Sequence, residues 1–248
     1  MTSYDIVGDL IIINDIVKRK IAEKLLKTHK NVKVVLVKQK KYSGKYRLPK
    51  LKVIAGEKRK ETIHKENNVR LKLDVEKVYF SSRMSTERKR IYLQVKPKES
   101  ILVMFSGSGV YPCVIAKNTK AKEIYGIEIN PIAHKYALEN LKLNKINNVK
   151  LFKGDVKKVI PKSKKKFDRV LMPLPKGGED YLDIALKVVK KNGIVHFYDF
   201  LHEDEFDKTV EKIDRACKNL KKKYKIIKIV KCGQFSPRVY RICVDFKA

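Results

Sequence analysis

Short apolar runs recur along the chain from residue 100 onwards, and segments with helical spacing separate them. The runs occupy residues 101–105, 124–129, 149–152, 167–172 and 193–198. Strands that are buried on both faces have continuous apolar sequences, and the helices that connect them cover the two faces of a parallel sheet. The pattern therefore predicts an α/β domain with a mostly parallel sheet.

Two further β-rich runs follow near the C-terminus, at residues 226–230 and 239–244. No helical segment separates them, so we expect an antiparallel pair at the edge of the same sheet. The first 75 residues mix shorter strand-like and helical patterns. We therefore expect a small α+β domain in residues 1–75, which precedes a larger domain in residues 76–248.

The small domain is predicted to contain strands, a helix, a basic loop and a hairpin. We expect strands at 9–13 and 32–37, a helix at 16–29 capped by Asn14 or Asp15, a basic loop with aromatic residues at 42–49, and a hairpin that joins 62–63 to 69–75 around 66–68. These assignments follow from the spacing of apolar residues and from the turn and capping residues between them.

The chain has a large excess of basic residues. Its 248 residues include 59 Lys and Arg against 27 Asp and Glu, which gives a formal net charge of +32. A lysine-rich, heat-adapted surface usually has matching acids, and this chain lacks them. We therefore expect a polyanionic partner, with nucleic acid favoured over an anionic membrane surface or an acidic protein. Hydrophobic residues make up 43% of the chain, which is enough to form a core despite the charge.

The sequence argues against several other classes of protein. No apolar run reaches the roughly 18 residues of a membrane span, and the N-terminus shows no secretory signal, so we expect a cytoplasmic protein. The cysteines form no C-x-x-C pair and the histidines form no H-E-x-x-H motif, so we expect no metal site. We expect reduced thiols, and a disulfide between Cys232 and Cys243 stays open as the alternative.

A glycine loop follows the first of the long apolar runs. Gly107 and Gly109 let a ligand approach the backbone and leave the first amides of the next helix free. Pro112 replaces the third glycine of the dinucleotide fingerprint, which argues against NAD or FAD. Glu128 ends the next strand, where it can bind both ribose hydroxyls, and Asp155 follows the third strand, where it can contact adenine, cap a helix, or do both. Together these residues indicate a Rossmann-like, class I S-adenosylmethionine-dependent transferase domain.

Several segments of the chain share a pattern with one known family. They are residues 78–88 (VYFSSRMSTER), the glycine loop, 126–131 (GIEINP), 168–172 (DRVLM), 235–238 (FSPR) and 243–246 (CVDF), with further likeness at 8–9, 53–57 and 61–62. In these segments the chain resembles the archaeal and eukaryotic tRNA guanine-37 methyltransferases. The resemblance covers nearly the whole chain and leaves no room for the separate N-terminal module of those enzymes. It implies an enzyme that binds the anticodon stem-loop of tRNA and uses S-adenosylmethionine as donor substrate. We expect a monomer.

The main departure from those methyltransferases is at Pro173, where they have an asparagine. The resemblance implies that the asparagine amide holds the target guanine, and proline has no side-chain donor or acceptor with which to replace it. A plain turn residue is the other interpretation of Pro173. The sister branch of the family also lacks the asparagine. That branch is the wybutosine-synthesis enzyme that transfers the 3-amino-3-carboxypropyl group of S-adenosylmethionine to carbon-7 of 4-demethylwyosine at position 37 of tRNA-Phe.

The resemblance to the sister branch therefore implies an aminocarboxypropyl transferase that releases methylthioadenosine. Methylation of guanine-37 at N1 is the alternative activity, and a tRNA-binding protein without catalysis is a third possibility. The three differ in whether the donor is bound and in which of its carbons is transferred.

The resemblance also implies roles for individual residues. Cofactor contacts are expected from Ser82, Lys89, Phe105, Gly107, Gly109, Glu128, Ile129, Asp155 and Val156. The rim of the base pocket is expected from Pro173, Leu174 and Pro175, with no general base assigned, and tRNA contacts are expected from Arg83, Lys45 and Arg47. A plain core role is the alternative for Phe105 and Ile129, and we expect Arg88 to pair structurally with Glu87 or Asp74.

Overall fold

The N-terminal part of the chain forms a four-stranded sheet with one helix packed on it. The computed structural model describes residues 3–15 and 17–248, and their side chains except at 40–42. In chain order the elements are β1 (Tyr4–Val7), β2 (Leu10–Ile13), α1 (Arg19–Thr28), β3 (Val34–Ser43) and β4 (Leu48–Gly56). The strands lie in the order β1-β2-β3-β4, and β2 and β3 are parallel. Ile11 and Ile13 of β2 are fully buried in a core that includes Ala22 of α1.

The predicted strands at residues 9–13 and 32–37 are confirmed as β2 and β3, but the predicted helix caps are wrong. The expected first helical residue, Ile16, lies outside the described residues, and α1 begins after Lys18. The side-chain oxygen of Asn14 instead accepts a hydrogen bond from Lys38 Nζ at 2.7 Å. Asn14 therefore joins two strands and is not available to cap the helix, and Asp15 lies too far from its first turn.

The predicted basic loop at residues 42–49 is shorter in the structure. Ser43 pairs with Leu48, so β3 and β4 form a hairpin whose tip is residues 44–47. Gly44 and Arg47 have positive φ values of 72° and 51° there, as tight turns require. The side chain of Tyr42 lies outside the described residues. The hairpin projects Lys45 and Arg47 away from the body of the small sheet.

A second hairpin connects the small sheet to the rest of the chain. It consists of β5 (Glu61–Glu66) and β6 (Val69–Asp74), which pair antiparallel around Asn67 and Asn68. Both asparagines have positive φ, 43° and 62°, which is the geometry of a two-residue hairpin turn. The predicted hairpin is therefore confirmed. A short 3₁₀ turn (Ser82–Met84) and α2 (Ser85–Tyr92) follow it.

The larger domain is built on a seven-stranded sheet. Its elements are β7 (Ser100–Met104), α3 (Val110–Asn118), β8 (Glu123–Glu128), α4 (Pro131–Leu143), β9 (Val149–Lys153), α5 (Val156–Ser163), β10 (Phe167–Met172), α6 (Leu182–Val188), β11 (Val189–His202), α7 (Asp207–Asn219), β12 (Lys225–Ser236) and β13 (Val239–Lys247). The strands lie in the order β12-β13-β11-β10-β7-β8-β9. All neighbours are parallel except those of β13, which is antiparallel to both β11 and β12.

This topology confirms the α/β fold with a mostly parallel sheet and an antiparallel C-terminal end. The predicted antiparallel pair at the sheet edge is confirmed as β12 and β13, with β12 outermost. β13 lies inside the sheet and pairs with β11 over nine residues, from Ile194 opposite Lys247 to His202 opposite Val239. Val244 and Phe246 are consequently fully buried, which explains their apolar sequence.

The second hairpin packs on the larger domain as well as on the small sheet. The amide side chain of Asn140 on α4 accepts from the Lys72 amide at 2.7 Å and donates to the Lys72 carbonyl at 3.0 Å. One turn later Asn144 makes the same pair of bonds to the backbone of Arg70, at 2.8 and 2.7 Å. The free edge of β6 is thus satisfied by helix side chains. The domain division after residue 75 stays a prediction.

A buried polar network crosses the middle of the large sheet. Arg169 is fully buried and donates to Glu99 at 2.8 Å and to Nε2 of His196 at 2.6 Å. Because a guanidinium only donates, Nε2 must accept, and the His196 proton must lie on Nδ1, which donates to Asp245 at 2.6 Å. Arg90 of α2 pairs with the same carboxylate at 2.5 Å. The network ties α2 to the centre of the sheet.

Three further features concern the cysteines, the helices and a cluster of polar side chains. All four cysteines are free thiols, so the alternative of a Cys232–Cys243 disulfide is not realised. Among the described residues, no helix combines the length and the apolar character that crossing a membrane requires. Cys243 lies with His196 and Asp245 in a group of possible metal ligands, but Arg90 and Arg169 place two positive charges against this group.

Candidate active site

The glycine loop lies at the carboxyl end of β7 and leads into α3. The Ser106 amide donates to the Ile127 carbonyl at 2.8 Å, and the Gly109 amide donates back to the Ser106 carbonyl at 3.0 Å. Gly109 has a φ of 79°, and a Cβ there would lie 3.0 Å from the Cβ of Ala137. At Gly107, with a φ of 57°, a Cβ would meet only the Tyr79 carbonyl oxygen, at 4.0 Å. The loop is therefore packed closely on one side and has space on the other.

Glu128 ends β8 next to this loop and is 8% exposed. Its Oε2 accepts from the Gly107 amide at 2.7 Å, and its Oε1 accepts from the Asn130 amide at 2.6 Å. Burial raises the pKa of Glu128, although the hydrogen bonds from the backbone amides oppose the shift. Each carboxylate oxygen retains a second acceptor position. The carboxylate is thus held in one orientation and can accept two neighbouring hydroxyl groups.

Asp155 follows β9 and begins α5. Its Oδ1 accepts from the Lys157 amide at 2.8 Å, which confirms the helix-cap interpretation of this residue. The Gly154 amide donates to the Glu128 carbonyl at 2.8 Å, so the ends of β8 and β9 are joined beside the glycine loop. Val156 is the buried first residue of α5. The structure therefore brings Asp155 and Val156 to the same sheet edge as Glu128.

An aromatic pair lies at this edge, and one of its members was not predicted from the sequence. The rings of Phe105 and Tyr181 are 4.9 Å apart in an edge-to-face arrangement. Lys157 Nζ lies 4.8 Å above the Tyr181 ring. Burial raises the pKa of Tyr181, and the nearby charge of Asp155 adds to the shift. Ile129, the other expected pocket residue, is half-buried after β8.

The segment before β7 passes over the glycine loop, as the position of the Tyr79 carbonyl shows. Ser82 is half-buried at the start of the 3₁₀ turn, and Lys89 is exposed on α2. Arg83 forms an exposed ion pair with Asp5 of β1. Roles of Ser82 and Lys89 in cofactor binding, and of Arg83 in tRNA binding, stay predictions.

Arg88 is a structural residue, as expected, but its partner is neither Glu87 nor Asp74. It forms an ion pair with Glu66 in which both side chains are at most 5% exposed, and it donates to the Ser81 carbonyl at 3.0 Å. Glu87 is occupied elsewhere, because it binds Arg90 and the Tyr198 hydroxyl. The partner was missed because β5 lies next to α2 only in the folded chain.

The loop after β10 contains the three residues predicted for the base-pocket rim. The Leu174 amide donates to the Met172 carbonyl at 2.7 Å, which turns the chain sharply at Pro173. Pro173 and Leu174 are half-buried and Pro175 is buried. Since β10 neighbours β7 in a parallel sheet, this loop lies at the same sheet edge as the glycine loop.

The tip of the first hairpin reaches the loop after β10. Arg47 donates to the Lys176 carbonyl, and Lys45 in the same tip is exposed. Burial lowers the pKa of Arg47, and the positive charge of Arg241 contributes to that direction while Tyr79 and Glu179 oppose it. The small sheet therefore contributes a basic side chain to the sheet edge that holds the glycine loop.

Two side chains near Arg47 have buried polar atoms without a hydrogen-bond partner among the described residues. They are Nε of Arg241 on β13 and Oε2 of Glu179, which follows the loop after β10. The Nη2 of Arg241 donates to the Tyr79 hydroxyl at 2.8 Å. Unsatisfied buried groups of this kind are suited to a bound ligand. Sequence reasoning missed both residues, since neither belongs to a motif of known chemistry.

The strand order, with the last strand inserted antiparallel next to β11, is that of the class I S-adenosylmethionine-dependent transferases. The site fits this donor, because the fixed Glu128 carboxylate can accept two neighbouring hydroxyl groups, Asp155 and the Phe105–Tyr181 pair lie at the same sheet edge, and Gly107 leaves space beside them. The chain belongs to the TRM5/TYW2 methyltransferase family, whose methyltransferase-domain model matches residues 62–227. The model of the TYW2 N-terminal domain matches residues 1–59.

Similar proteins include enzymes with two different transfer reactions. The chain is 38% identical to tRNA (guanine(37)-N(1))-methyltransferase Trm5b of Pyrococcus abyssi over 99% of this chain and 74% of that protein. It is 38% identical to tRNA (guanine(37)-N(1))/4-demethylwyosine(37)-methyltransferase Taw22 of Nanoarchaeum equitans, over 98% of both. It is 32% identical to tRNA(Phe) (4-demethylwyosine(37)-C(7)) aminocarboxypropyltransferase of Methanocaldococcus jannaschii, over 98% of this chain and 97% of that protein.

The similar solved structures also include both Trm5 and TYW2 proteins. The crystal structure of Trm5b from P. abyssi matches with a TM-score of 0.90 at 38% identity, and covers 99% of this chain and 74% of that chain. The structure of M. jannaschii TYW2 in complex with AdoMet matches with a TM-score of 0.76 at 29% identity, over 99% of this chain and 98% of that chain.

Proposed function

We propose that this chain transfers the 3-amino-3-carboxypropyl group of S-adenosylmethionine to carbon-7 of 4-demethylwyosine at position 37 of tRNA-Phe. The observation that supports this proposal most is the identity of residue 173, a proline in the loop that we expect to form the rim of the base pocket, where the guanine-37 methyltransferases that the chain resembles have an asparagine. Proline offers no side-chain hydrogen bond to a guanine edge. An acceptor that is held by shape and stacking suits this rim of Pro173, Leu174 and Pro175 better.

The proposed transfer requires the γ-carbon of the methionine arm to face the acceptor. The new bond forms between carbon-7 of the base and this γ-carbon, while the bond from the γ-carbon to sulfur breaks. Its electron pair stays on sulfur, which leaves as neutral methylthioadenosine, and carbon-7 loses its proton. The sulfonium activates every attached carbon, so orientation within the site decides which group is transferred.

The side chains of this chain bind and orient the reactants. Glu128 holds the ribose, Asp155 with the Val156 amide contacts adenine, and Phe105 and Ile129 line the adenine pocket. Ser82 and Lys89 hold the methionine arm. We assign no general base, because the tricyclic base is electron-rich at the attacking carbon and the sulfonium is a good leaving group.

The proposed partner is the anticodon stem-loop of tRNA. Three observations support it: the net charge of +32, the names of the tRNA-modifying relatives, and a similar solved structure described as a complex of aTrm5 and tRNALeu. Lys45, Arg47 and Arg83 lie on elements of the small sheet and the adjoining turn, where they would contact the phosphate backbone. Such contacts position the RNA without reading its sequence.

Two labelled donors test the proposed reaction. Transcripts that contain 4-demethylwyosine at position 37 are incubated with S-adenosylmethionine labelled either in the carboxyl carbon or in the methyl group. We expect label in the tRNA from the carboxyl position. Label from the methyl position alone contradicts the proposal.

A methyl transferase is the second candidate, and sequence identity favours it. The two methyltransferase relatives described above are each 38% identical to this chain, against 32% for the aminocarboxypropyltransferase. This candidate predicts label from the methyl group only, with either 4-demethylwyosine or unmodified guanine at position 37. The same experiment therefore decides between the two.

A further inference from the structure

An exposed aromatic side chain lies on a bulge of the edge strand β12. Phe235 is 68% exposed, a large apolar area for a side chain within a strand. It falls at a register shift between Gln234 and Ser236, which turns it out of the regular pairing with β13. The ring does not stand alone, because its centroid lies 4.5 Å from that of Phe200 on β11, with a tilt of 39°.

An arginine completes this group from the strand between them. Arg241 of β13 lies directly opposite Phe200 in the sheet, and its guanidinium is 5.0 Å from the centre of the Phe200 ring. Its Nη2 donates to Tyr79, whereas its buried Nε has no hydrogen-bond partner among the described side chains and backbone groups. Phe235, Phe200 and Arg241 thus form a stacked group, called here the aromatic platform, with one outward ring and one unused donor.

The platform lies close to the loop that forms the predicted rim of the base pocket. Met172, the last residue of β10, pairs with Phe197 of β11. Phe200 is three residues farther along β11, so it lies about 10 Å beyond the level at which β10 ends and the loop after β10 begins. Arg47 is near enough to Arg241 for that charge to lower its pKa, after the larger effect of burial.

We infer that the aromatic platform stacks an unpaired nucleobase of the RNA substrate next to the base that is modified. Exposed rings backed by a cation bind single-stranded nucleic acid because every base has a π-face, and arginine adds cation–π attraction and a hydrogen-bond donor. The chain's net charge of +32 favours RNA over an apolar protein partner for this position. The inference rests on the proposed function, because it takes tRNA as the partner.

Binding of a fluorescent anticodon stem-loop RNA to the full chain tests the platform. We expect Phe235→Ala to weaken binding by roughly 5-fold or more, which is the lower end of the range for loss of one base stack. Phe235→Tyr keeps the ring and should bind within about twofold of the unchanged protein. The matched control is Ile227→Ala on the same strand, where an apolar side chain that is 53% exposed is removed far from the pocket, and it should also bind within about twofold.

A second RNA, abasic at the nucleotides that flank position 37, shows whether a base is the ligand. On the abasic RNA, Phe235→Ala should bind as tightly as the unchanged protein. The S-adenosylmethionine affinity and the melting temperature of this variant should also equal those of the unchanged protein. Equal binding of Phe235→Ala and the unchanged protein, or an equal loss on both RNAs, overturns the inference.

The result also separates this inference from the proposed function. If the unchanged protein binds no RNA, both are wrong. If it modifies tRNA normally and Phe235→Ala has no effect on binding, only the platform is wrong. If Phe235→Ala weakens RNA binding while no aminocarboxypropyl group is transferred, the platform is supported and the proposed reaction is wrong.

Discussion

The amide of Gly107 donates a 2.7 Å hydrogen bond to Oε2 of Glu128, which joins the glycine loop after β7 to the acid at the end of β8. Neighbouring parallel strands bring the two residues together at the carboxyl edge of the sheet. The bond leaves the other face of Gly107 open and holds the carboxylate in one orientation. Ligand sites in α/β sheets occur at this edge.

Replacing Glu128 with glutamine should weaken S-adenosylmethionine binding by roughly 10- to 100-fold. The side-chain NH₂ group of glutamine cannot accept a hydrogen bond from a ribose hydroxyl, so a hydrogen bond to a charged acceptor is lost. Calorimetric titration measures the change. The control is Glu123→Gln at the start of the same strand, where the carboxylate pairs with Lys165 near the surface. Equal affinities for both variants would contradict the role of Glu128.

Tyr181 should contribute to the same affinity through its ring. Removal of the ring in Tyr181→Ala takes away the edge-to-face contact with Phe105, and we expect a loss of roughly 3- to 10-fold. Tyr181→Phe keeps this contact and should bind as the unchanged protein does. A loss in Tyr181→Phe as large as in Tyr181→Ala would assign the effect to the hydroxyl group instead.

The functional residues that were not predicted from the sequence were missed for a common reason. Tyr181 and Arg241 lie far along the chain from the residues they contact, and neither stands in a spacing that indicates chemistry. The positions of Glu128 and Asp155 at strand ends were predicted because each follows an apolar run, so the end of the strand could be located. Such inference depends on contacts between neighbouring strand ends, and it fails where a loop or an inserted strand supplies the side chain.

The same distinction applies to the fold. Strands buried on both faces were recognised by their apolar sequences, which is why the parallel sheet was predicted. β4 was missed although its lysines alternate with apolar residues, because Pro49 near its start suggests a turn. The structure places Pro49 on an edge strand, where its missing amide donor is tolerated. β13 was predicted as a strand, but its inner position depends on long-range pairing with β11.

Protonation of His196 should reduce stability in mildly acidic solution. Burial lowers the pKa of His196, and the hydrogen bond and charge of Asp245 only partly oppose this. An unfolded histidine titrates near pKa 6.5, so the unfolded chain binds more protons as the pH falls below about 6.5. The free energy of unfolding should therefore fall there, by at most about 1.4 kcal/mol per pH unit from this residue.

Chemical denaturation at a series of pH values from about 7.5 to about 5 measures this slope, because this range spans the pKa of a free imidazole, about 6.5. His196→Gln keeps an acceptor for Arg169 and a donor for Asp245 but cannot be protonated in this range. Its slope should be smaller than that of the unchanged protein. Identical slopes would mean that His196 is not the group responsible.

Affinity for tRNA should fall steeply with salt if the basic surface contacts phosphates. Release of counterions predicts a plot of log affinity against log salt concentration with a slope of about −3 or steeper. Binding measured at several potassium chloride concentrations gives the slope. Arg47→Gln should reduce the steepness of this slope by about one, which corresponds to the loss of one phosphate contact. A nearly flat plot for the unchanged protein would contradict phosphate binding.

The by-product of the reaction tests the central claim most directly, because it shows which bond to sulfur breaks. The chain is incubated with S-adenosylmethionine and tRNA-Phe that contains 4-demethylwyosine, and the released nucleoside is identified by chromatography and mass. The proposal predicts methylthioadenosine in an amount equal to the modified tRNA. Release of S-adenosylhomocysteine in its place would contradict the proposal and identify the chain as a methyltransferase.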